Sequence, residues 1–507
     1  MKRLLVAICV FTIAVSVAYG QSDRGTITGT VSDPSNALIP GASVVATNGD
    51  TGAKYETVST ETGNYTLLQL PPGVYTVSAE LPGFKKTVRQ GVTVLVAQTL
   101  RIDLALEVGA ATDEVTVNAD APLLRTESSD VSHNINSQSL DDLPILGIGG
   151  VLSGSAGIRN PYAMVQLIPG STWTPNSLVR LNGTPANTQS FRIEGQDASN
   201  TGTPGVPAQS QPGVDAIQEV AIQTSNFAAE YGQVGGGVFN VTMKSGTNQF
   251  HGTAFDYYVN EFLNAGNPFT NTGVNLRPRA RRNDYGGTVG GPVLKDKTFF
   301  FFSFEQFREV QYVNNQFQTV PTAAYRRGDF SSAIPKNPKV IGIDPLGRQM
   351  LEGMIYDPAT TRLINGQLVR DPFPNNFIDP SRFDPVAVKI QALFPAPNNG
   401  VFANDLVNNY QQTYPTTRHT EVPSLKVDQV LGKGKISFFW QNTQTSNPDG
   451  NTIFGQSDGL PDPLSTVLGT FQNAPLYRLN YDYTINPRIL LHLGAGYRSN
   501  YFLVPSV

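Results

Sequence analysis

Four histidines, His133, His251, His419 and His492, are the side chains best suited to hold a metal or move a proton near neutral pH. A helical zinc pair needs ligands one turn apart, as in H-E-x-x-H or H-x-x-E. None of the four has that spacing, so neither a metal site nor a cofactor is expected. Cys9 is the only cysteine, so no disulfide or thiolate site can form in a chain that has lost its leader. Gly455-Gln456-Ser457-Asp458-Gly459 matches the G-x-S-x-G turn that presents a nucleophilic serine. That turn needs a strand before it and a helix after it, and Pro461 and Pro463 follow at once. There is no Walker motif and no G-x-G-x-x-G. Asn64-Tyr65-Thr66 and Asn182-Gly183-Thr184 fit the glycosylation sequon, a pattern too short to carry weight. With no catalytic residues in sight, an enzyme is not expected.

The elements around these residues read as an exported β protein. Lys2 and Arg3 precede an uncharged apolar run over 4–17, and Ala18-Tyr19-Gly20 offers small residues for cleavage between Gly20 and Gln21. The run is shorter than the roughly 20 residues of a spanning helix. Cys9 lies mid-run behind Ile8, which excludes a lipoprotein leader. A net charge of -4 with mixed signs lacks the basic footprint of a nucleic-acid binder. The 48 glycines, 36 prolines, 27 phenylalanines and 19 tyrosines suit many strands joined by turns. No later stretch is long and apolar enough for a membrane helix, so any crossing would be by a closed barrel.

Short strands are predicted over 25–32, 42–48, 54–60, 63–70, 73–81, 84–88 and 99–106, separated by turn pairs such as Pro40-Gly41, Pro72-Gly73 and Pro82-Gly83. Such spacing argues for a β-sandwich. Thr28-Gly29-Thr30-Val31-Ser32-Asp33, Ile39-Pro40-Gly41-Ala42-Ser43-Val44, Thr62-Gly63-Asn64-Tyr65 and Leu70-Pro71-Pro72-Gly73-Val74-Tyr75 resemble the carboxypeptidase regulatory-like domain. The resemblance implies a transthyretin-like, carbohydrate-binding-like fold. Glycan binding and a passive spacer role both stay open, since fold alone does not give function.

Next comes an extended run, Asp113-Glu114-Val115-Thr116-Val117-Asn118-Ala119. An exposed strand of this kind can be captured by edge addition to a partner sheet. Its position resembles a TonB box, the segment gripped by the energy-coupling protein TonB; the alternative is a last strand of the sandwich. Phe191-Arg192-Ile193-Glu194-Gly195-Gln196-Asp197, Val214-Asp215-Ala216-Ile217-Gln218-Glu219-Val220, Ser225-Asn226-Phe227-Ala228-Ala229-Glu230-Tyr231-Gly232 and the run from Gly235-Gly236-Gly237 to Lys244 then follow in order. That order resembles the plug domain of TonB-dependent receptors of the Oar-like kind. The glycines let a backbone pass close to a neighbour. Glu194, Asp197, Glu219 and Glu230 have Arg192 and Lys244 as possible partners. These charges either seat a plug in a polar lumen or are surface pairs worth under about 1 kcal/mol each.

After residue 246, apolar and polar residues alternate strongly. Tyr477, Leu479, Tyr481, Tyr483 and Ile485 interleave with Arg478, Asn480, Asp482 and Thr484, as in lipid-facing barrel strands. Strands are predicted near 248–259, 282–293, 298–310, 423–431, 435–445, 474–485 and 488–500. Their connections alternate long and short, the short ones at 294–297, 432–434 and 486–487 and the longest over 311–422. Outer-membrane barrels segregate loops in this way. Seven strands do not close a plugged barrel, which takes about 22, so the sequence is expected to be truncated.

The predicted fold is mainly β: a leader (1–20), a transthyretin-like sandwich (21–107), a TonB-box-like linker (108–120), an α+β plug domain (121–246) and an incomplete transmembrane β-barrel (247–507). The resemblance implies a receptor in the bacterial outer membrane, with sandwich and box in the periplasm. Its expected partners are outer-membrane lipid, a TonB-type protein and an unknown extracellular ligand of siderophore, oligosaccharide or peptide class, with no nucleic acid. The alternative is a surface-binding or secretion-assisting protein that holds glycan or protein without uptake.

Overall fold

In the computed structural model, the described residues are 24–109, 114–118, 127–143, 156–173, 179–186, 188–199, 210–228, 231–232, 234–264, 280–313, 317–398, 406–411, 414–448, 460–461, 463–464, 469–486 and 489–504. The first unit is a sandwich of β1 (Gly25–Ser32), β2 (Ser43–Asn48), β3 (Lys54–Val58), β4 (Asn64–Leu70), β5 (Gly73–Glu80), β6 (Lys86–Val94), β7 (Thr99–Arg101), β8 (Leu104–Ala105) and β9 (Glu114–Asn118). One sheet runs β4-β1-β7 with β8 also on β1, and the other runs β3-β2-β5-β6-β9. Alternate residues of β1, β2 and β5 are buried, as half-buried strands require. Tyr65 crosses this core to donate its hydroxyl to Ile102 O at 2.7 Å.

Two differences from the sequence reading have local causes. The strand predicted to end at 88 continues to Val94, because a bulge against β5 takes up Gln90 and Gly91, with Gly91 at φ 74°. The segment assigned to a linker contributes β9, which pairs in parallel with β6 from Lys86↔Glu114 to Gln90↔Asn118.

The second unit, the inner domain, has β10 (Val131–Asn136), α1 (Ser137–Asp142), β11 (Ser171–Trp173), β12 (Val179–Leu181), β13 (Ser190–Ile193), β14 (Gln196–Asp197), β15 (Ile217–Ser225) and β16 (Val238–Met243). Its main sheet is ordered β10-β15-β16-β13-β14. Every residue of β16 is buried, the pattern of a central strand covered on both faces. Phe191 stacks on Phe239 at 4.6 Å between ring centroids, and Tyr162 meets Phe191 edge-on at 4.8 Å.

The third unit is a sheet of long antiparallel strands, β17 (His251–Val259), β18 (Ala280–Leu294), β19 (Thr298–Val313), β26 (Tyr414–Leu431), β27 (Gly434–Asn447), β28 (Thr470–Asn486) and β29 (Ile489–Arg498), paired in that order, with β30 (Tyr501–Leu503) on β28. The sheet is not closed: among the described residues β17 and β29 are its edges. The short connections 295–297, 432–433 and 487–488 join strands at one end, and the long ones, 260–279, 314–413 and 448–469, at the other. Phe439, Gln441, Thr443 and Thr445 face inward and are buried, while Leu479, Leu493 and Tyr497 face outward and are exposed.

The strand expected from 423 starts at Tyr414. Pro423 argues against a strand interior because it has no N–H, but here it pairs with Phe304, and the β26–β27 ladder skips from Glu421 to Ser424 to accommodate it. The long connection before it is itself folded. It carries β20 (Phe317–Gln318) paired with β25 (Tyr410–Gln411), hairpins β21 (Val340–Ile343)–β22 (Gln349–Leu351) and β23 (Tyr356–Ile364)–β24 (Gln367–Pro372), and helices α2 (Ala323–Arg326) and α3 (Pro385–Leu393).

Candidate functional site: the seat of the inner domain

The inner domain rests against the inward face of the strand wall, and the contact is built from buried charge. Hairpin β13–β14 turns through Glu194 (φ 52°) and Gly195 (φ 78°). A left-handed conformation at both central residues matches the twist of the flanking strands, though for a non-glycine it costs about 1 kcal/mol. The turn delivers the Glu194 carboxylate, 1% exposed, to Lys426 of β26. Lys426 Nζ donates to Glu194 Oε1 at 2.7 Å and to Met243 O at 3.0 Å, and Met243 N–H donates to the same carboxylate oxygen at 2.7 Å. Two residues along β26, Asp428 accepts from the Ser245 hydroxyl and pairs with Lys435 at 3.3 Å. Removing one partner of such a buried pair typically costs about 3–5 kcal/mol, because the other charge is left uncompensated.

A second cluster gathers around Arg159. Its guanidinium pairs with Asp215, donates to Tyr257 Oη at 3.0 Å and lies 4.3 Å from the Tyr257 ring centroid. Its backbone N–H donates to Asp284 at 3.3 Å. Asp284 and Glu305, on neighbouring wall strands, are 0% and 3% exposed. Gln441 Nε2 reaches Ser210 O at 3.2 Å and Gln211 O at 3.3 Å. Phe301, Phe439 and Leu476 of the wall complete the inner domain's apolar core. The interface therefore joins a modest apolar contact to paired charges and main-chain hydrogen bonds.

Of the residues singled out from sequence, Glu194 joins the seat through Lys426. Glu219 faces the sandwich, accepting from Asn134 Nδ2 and, at 3.1 Å, from Val96 N–H. Arg192 packs over the Tyr231 ring at 5.0 Å, and Lys244 donates its N–H to Ala216 O at 2.8 Å. Asp197 is exposed and caps Ser199 N–H at 2.8 Å. Gly232 is exposed, while Gly235 and Gly236 both donate N–H to Thr188 O at 2.8 and 3.2 Å. Gly237 has φ 138°, and a Cβ there would stand 2.7 Å from Leu181 Cδ1 and 2.8 Å from Gln223 O. Glu114, Val115, Thr116 and Val117 lie in β9. Asp113, Ala119, Glu230, Gly20, Gln21 and the 455–459 turn lie outside the described residues. His419 pairs with Glu421 at 2.9 Å and His492 with Asp482 at 2.5 Å. Among the described residues no cluster of His, Cys, Asp and Glu forms a metal site.

Arg159, Asp284, Glu305, Lys426 and Asp428 were missed from sequence. The signal for Lys426 and Asp428 was the alternation of Ser424, Lys426 and Asp428 with Leu425 and Val427, which puts the polar set on the inner face. Nothing local marks Arg159.

Comparison with known proteins matches residues 242–505 to the family described as outer membrane beta barrel domain and residues 26–107 to the carboxypeptidase regulatory-like domain. A curated relative, the TonB-dependent transporter Oar of Myxococcus xanthus, is 30% identical over 304 residues, which cover 57% of this chain and 27% of that protein. The chain thus aligns with about a quarter of the length of that relative. Among solved structures, the siderophore receptor PirA of Acinetobacter baumannii aligns at 13% identity and a TM-score of 0.32, covering 73% of this chain and 48% of that one. A mutant of the ferric enterobactin receptor of Pseudomonas aeruginosa aligns at 13% identity and a TM-score of 0.33, covering 74% and 49%.

Proposed function

From the premise that this chain belongs to the outer membrane beta barrel domain family, we propose that it serves energy-coupled transport across the outer membrane, with the inner domain as plug and residues 113–119 as coupling segment. The observation that carries this reading is the polar seat. Glu194–Lys426, together with the bonds from Arg159 to Tyr257 and Asp284, holds the inner domain by polar contacts, which can re-form with water or other partners when the domain shifts. A purely apolar interface would offer no such exchange. The short-turn end of the wall, where the sandwich sits, is the periplasmic end in this reading, since barrels of this class keep their short turns there. The relative's printed function, TonB-dependent transport, agrees with it.

The test is deletion of residues 113–119 in the whole protein, read as proton-gradient-dependent uptake of candidate ferric siderophores, oligosaccharides and peptides. Uptake of the transported class is expected to fall to the level of cells lacking the protein. Unchanged uptake removes the coupling segment from the mechanism. A second reading, surface binding without uptake, draws on the folded connection at 317–411, whose hairpins expose Ile341, Ile343, Leu363 and Leu368. It predicts binding that deletion of 113–119 leaves intact.

A further inference from the structure

The sandwich is not tethered loosely beside the inner domain. Its turn between β6 and β7 is inserted against the inner domain's sheet. Val96 N–H donates to Glu219 Oε2 at 3.1 Å, Val96 O accepts from Asn134 Nδ2 at 3.2 Å, and Asn134 also donates to Glu219 Oε1. Glu219 and Asn134 lie on the adjacent strands β15 and β10 and face each other diagonally in the ladder, so the turn clamps two strands at once. Val96 is 1% exposed, and both its N–H and its C=O are bonded to inner-domain side chains. Ala97, at the tip, has φ 54°. A non-glycine residue held there is strained, and strain of this kind persists only where surrounding contacts impose it.

Two further contacts fix the sandwich to the short-turn end of the wall. Asn248 N–H donates to Asp50 O at 3.0 Å, and Asn248 is bridged to Asp296 by side-chain bonds of 2.7 and 2.9 Å. Arg24 approaches Asp482 at 3.8 Å, with both side chains under a tenth exposed. The segment proposed for coupling is not a free tail either. Residues 114–118 form the edge strand β9 on β6, and β6 ends two residues before Val96. A partner strand that added to β9 would be adding to the sandwich.

We propose that the sandwich is a latch: the Leu95–Gln98 turn holds the inner domain in its resting seat, and a pull on β9 withdraws the turn from Glu219 and Asn134 before the inner domain moves. This rests on the coupling role proposed above and assigns the sandwich a part in it, in place of a passive spacer. Force then reaches the inner domain's sheet by a second route, through β6 and its turn, besides the covalent chain that follows Asn118.

The experiment uses the whole protein in cells and needs no transported ligand, with N-ethylmaleimide as the probe. The only native cysteine is Cys9 in the expected leader, so an introduced cysteine reports alone. Val96→Cys is compared with Leu68→Cys, a sandwich position that is 47% exposed. With the proton gradient dissipated, the cysteine at 96 is expected to react at least about tenfold more slowly than that at 68, as a site that labels only on local opening does. Adding Glu219→Ala is expected to remove most of that protection. Restoring the gradient is expected to speed labelling at 96 severalfold, and deletion of 113–119 to abolish the increase. Equal labelling at 96 and 68 in dissipated cells, or protection untouched by Glu219→Ala, would overturn the docking. Thr116→Cys, at an exposed position of β9, separates the two proposals through disulfide capture of cysteine variants of the energy-coupling protein. Capture at 116 with position 96 still protected in energised cells would overturn the latch and leave the coupling role standing. Absence of both capture and deprotection would sink both.

Discussion

Lys426 carries the most weight of any single residue in the seat. Lys426 is 6% exposed, and its ammonium has Glu194 and Met243 O as partners. Lys426→Ala takes the cation away from the buried Glu194 carboxylate, which keeps the Met243 N–H bond. The seat is expected to weaken by about 3 kcal/mol, and the double variant with Glu194→Gln to recover part of that loss. Urea-dependent release of the inner domain, followed by protease cutting in 190–243, measures it. An unchanged midpoint in Lys426→Ala would show that the pair holds nothing. Glu194 was legible in advance as a plug-motif carboxylate with Arg192 and Lys244 as possible partners. Its partner was not, because Lys426 lies more than two hundred positions away in the chain.

At the scale of elements, the folded connection between β19 and β26 is held by exposed ion pairs. Asp371 accepts from Arg362 at 2.7 and 2.9 Å and from Arg348 at 2.7 Å. The two guanidiniums, Arg362 first, hold its carboxyl well below the ordinary value of 3.8. The group is more acidic folded than unfolded. Its contribution is therefore present at and above the ordinary value, and is lost as pH falls from 3.8 toward the lowered one. Cutting of the β23–β24 hairpin by an acid-active protease is expected to begin only in that acid window, and Arg362→Ala to shift the onset upward. Cutting at neutral pH would show that other contacts set the hairpin's stability. From sequence this whole region read as one long connection over 311–422, rich in Pro, Asn and Asp. Those residues did form turns, but they also paired the short strands between them, which periodicity over four or five residues cannot reveal.

At the scale of the whole molecule, the wall has two chemically distinct faces. Leu479 is 46% exposed on the outer face, while its neighbours Arg478 and Asn480 are buried against the lumen side. In the membrane-inserted protein, Leu479→Arg is expected to cost about 2–4 kcal/mol if the position lies near the bilayer midplane, whereas Asn480→Ser, facing inward, should leave insertion unaffected. Folding titrations into lipid vesicles compare the two. Equal effects would mean that the faces are assigned the wrong way round.

The sequence by itself determined the kinds of element and their order: short sandwich strands separated by Gly- and Pro-containing turns, a glycine-rich middle region, then long strands of period two with short connections at one end. These are local properties, set by backbone preferences and by alternation along a few residues. Tertiary structure alone decided what each charge meets. Arg159 finds Asp215 and the wall carboxylates, Glu219 finds Val96 of another unit, and residues 114–118 become a strand of the sandwich. Such pairings depend on which faces approach one another after folding. A buried charge must find a partner wherever the chain brings one, and the identity of that partner is a matter of distance in space, which no local pattern records.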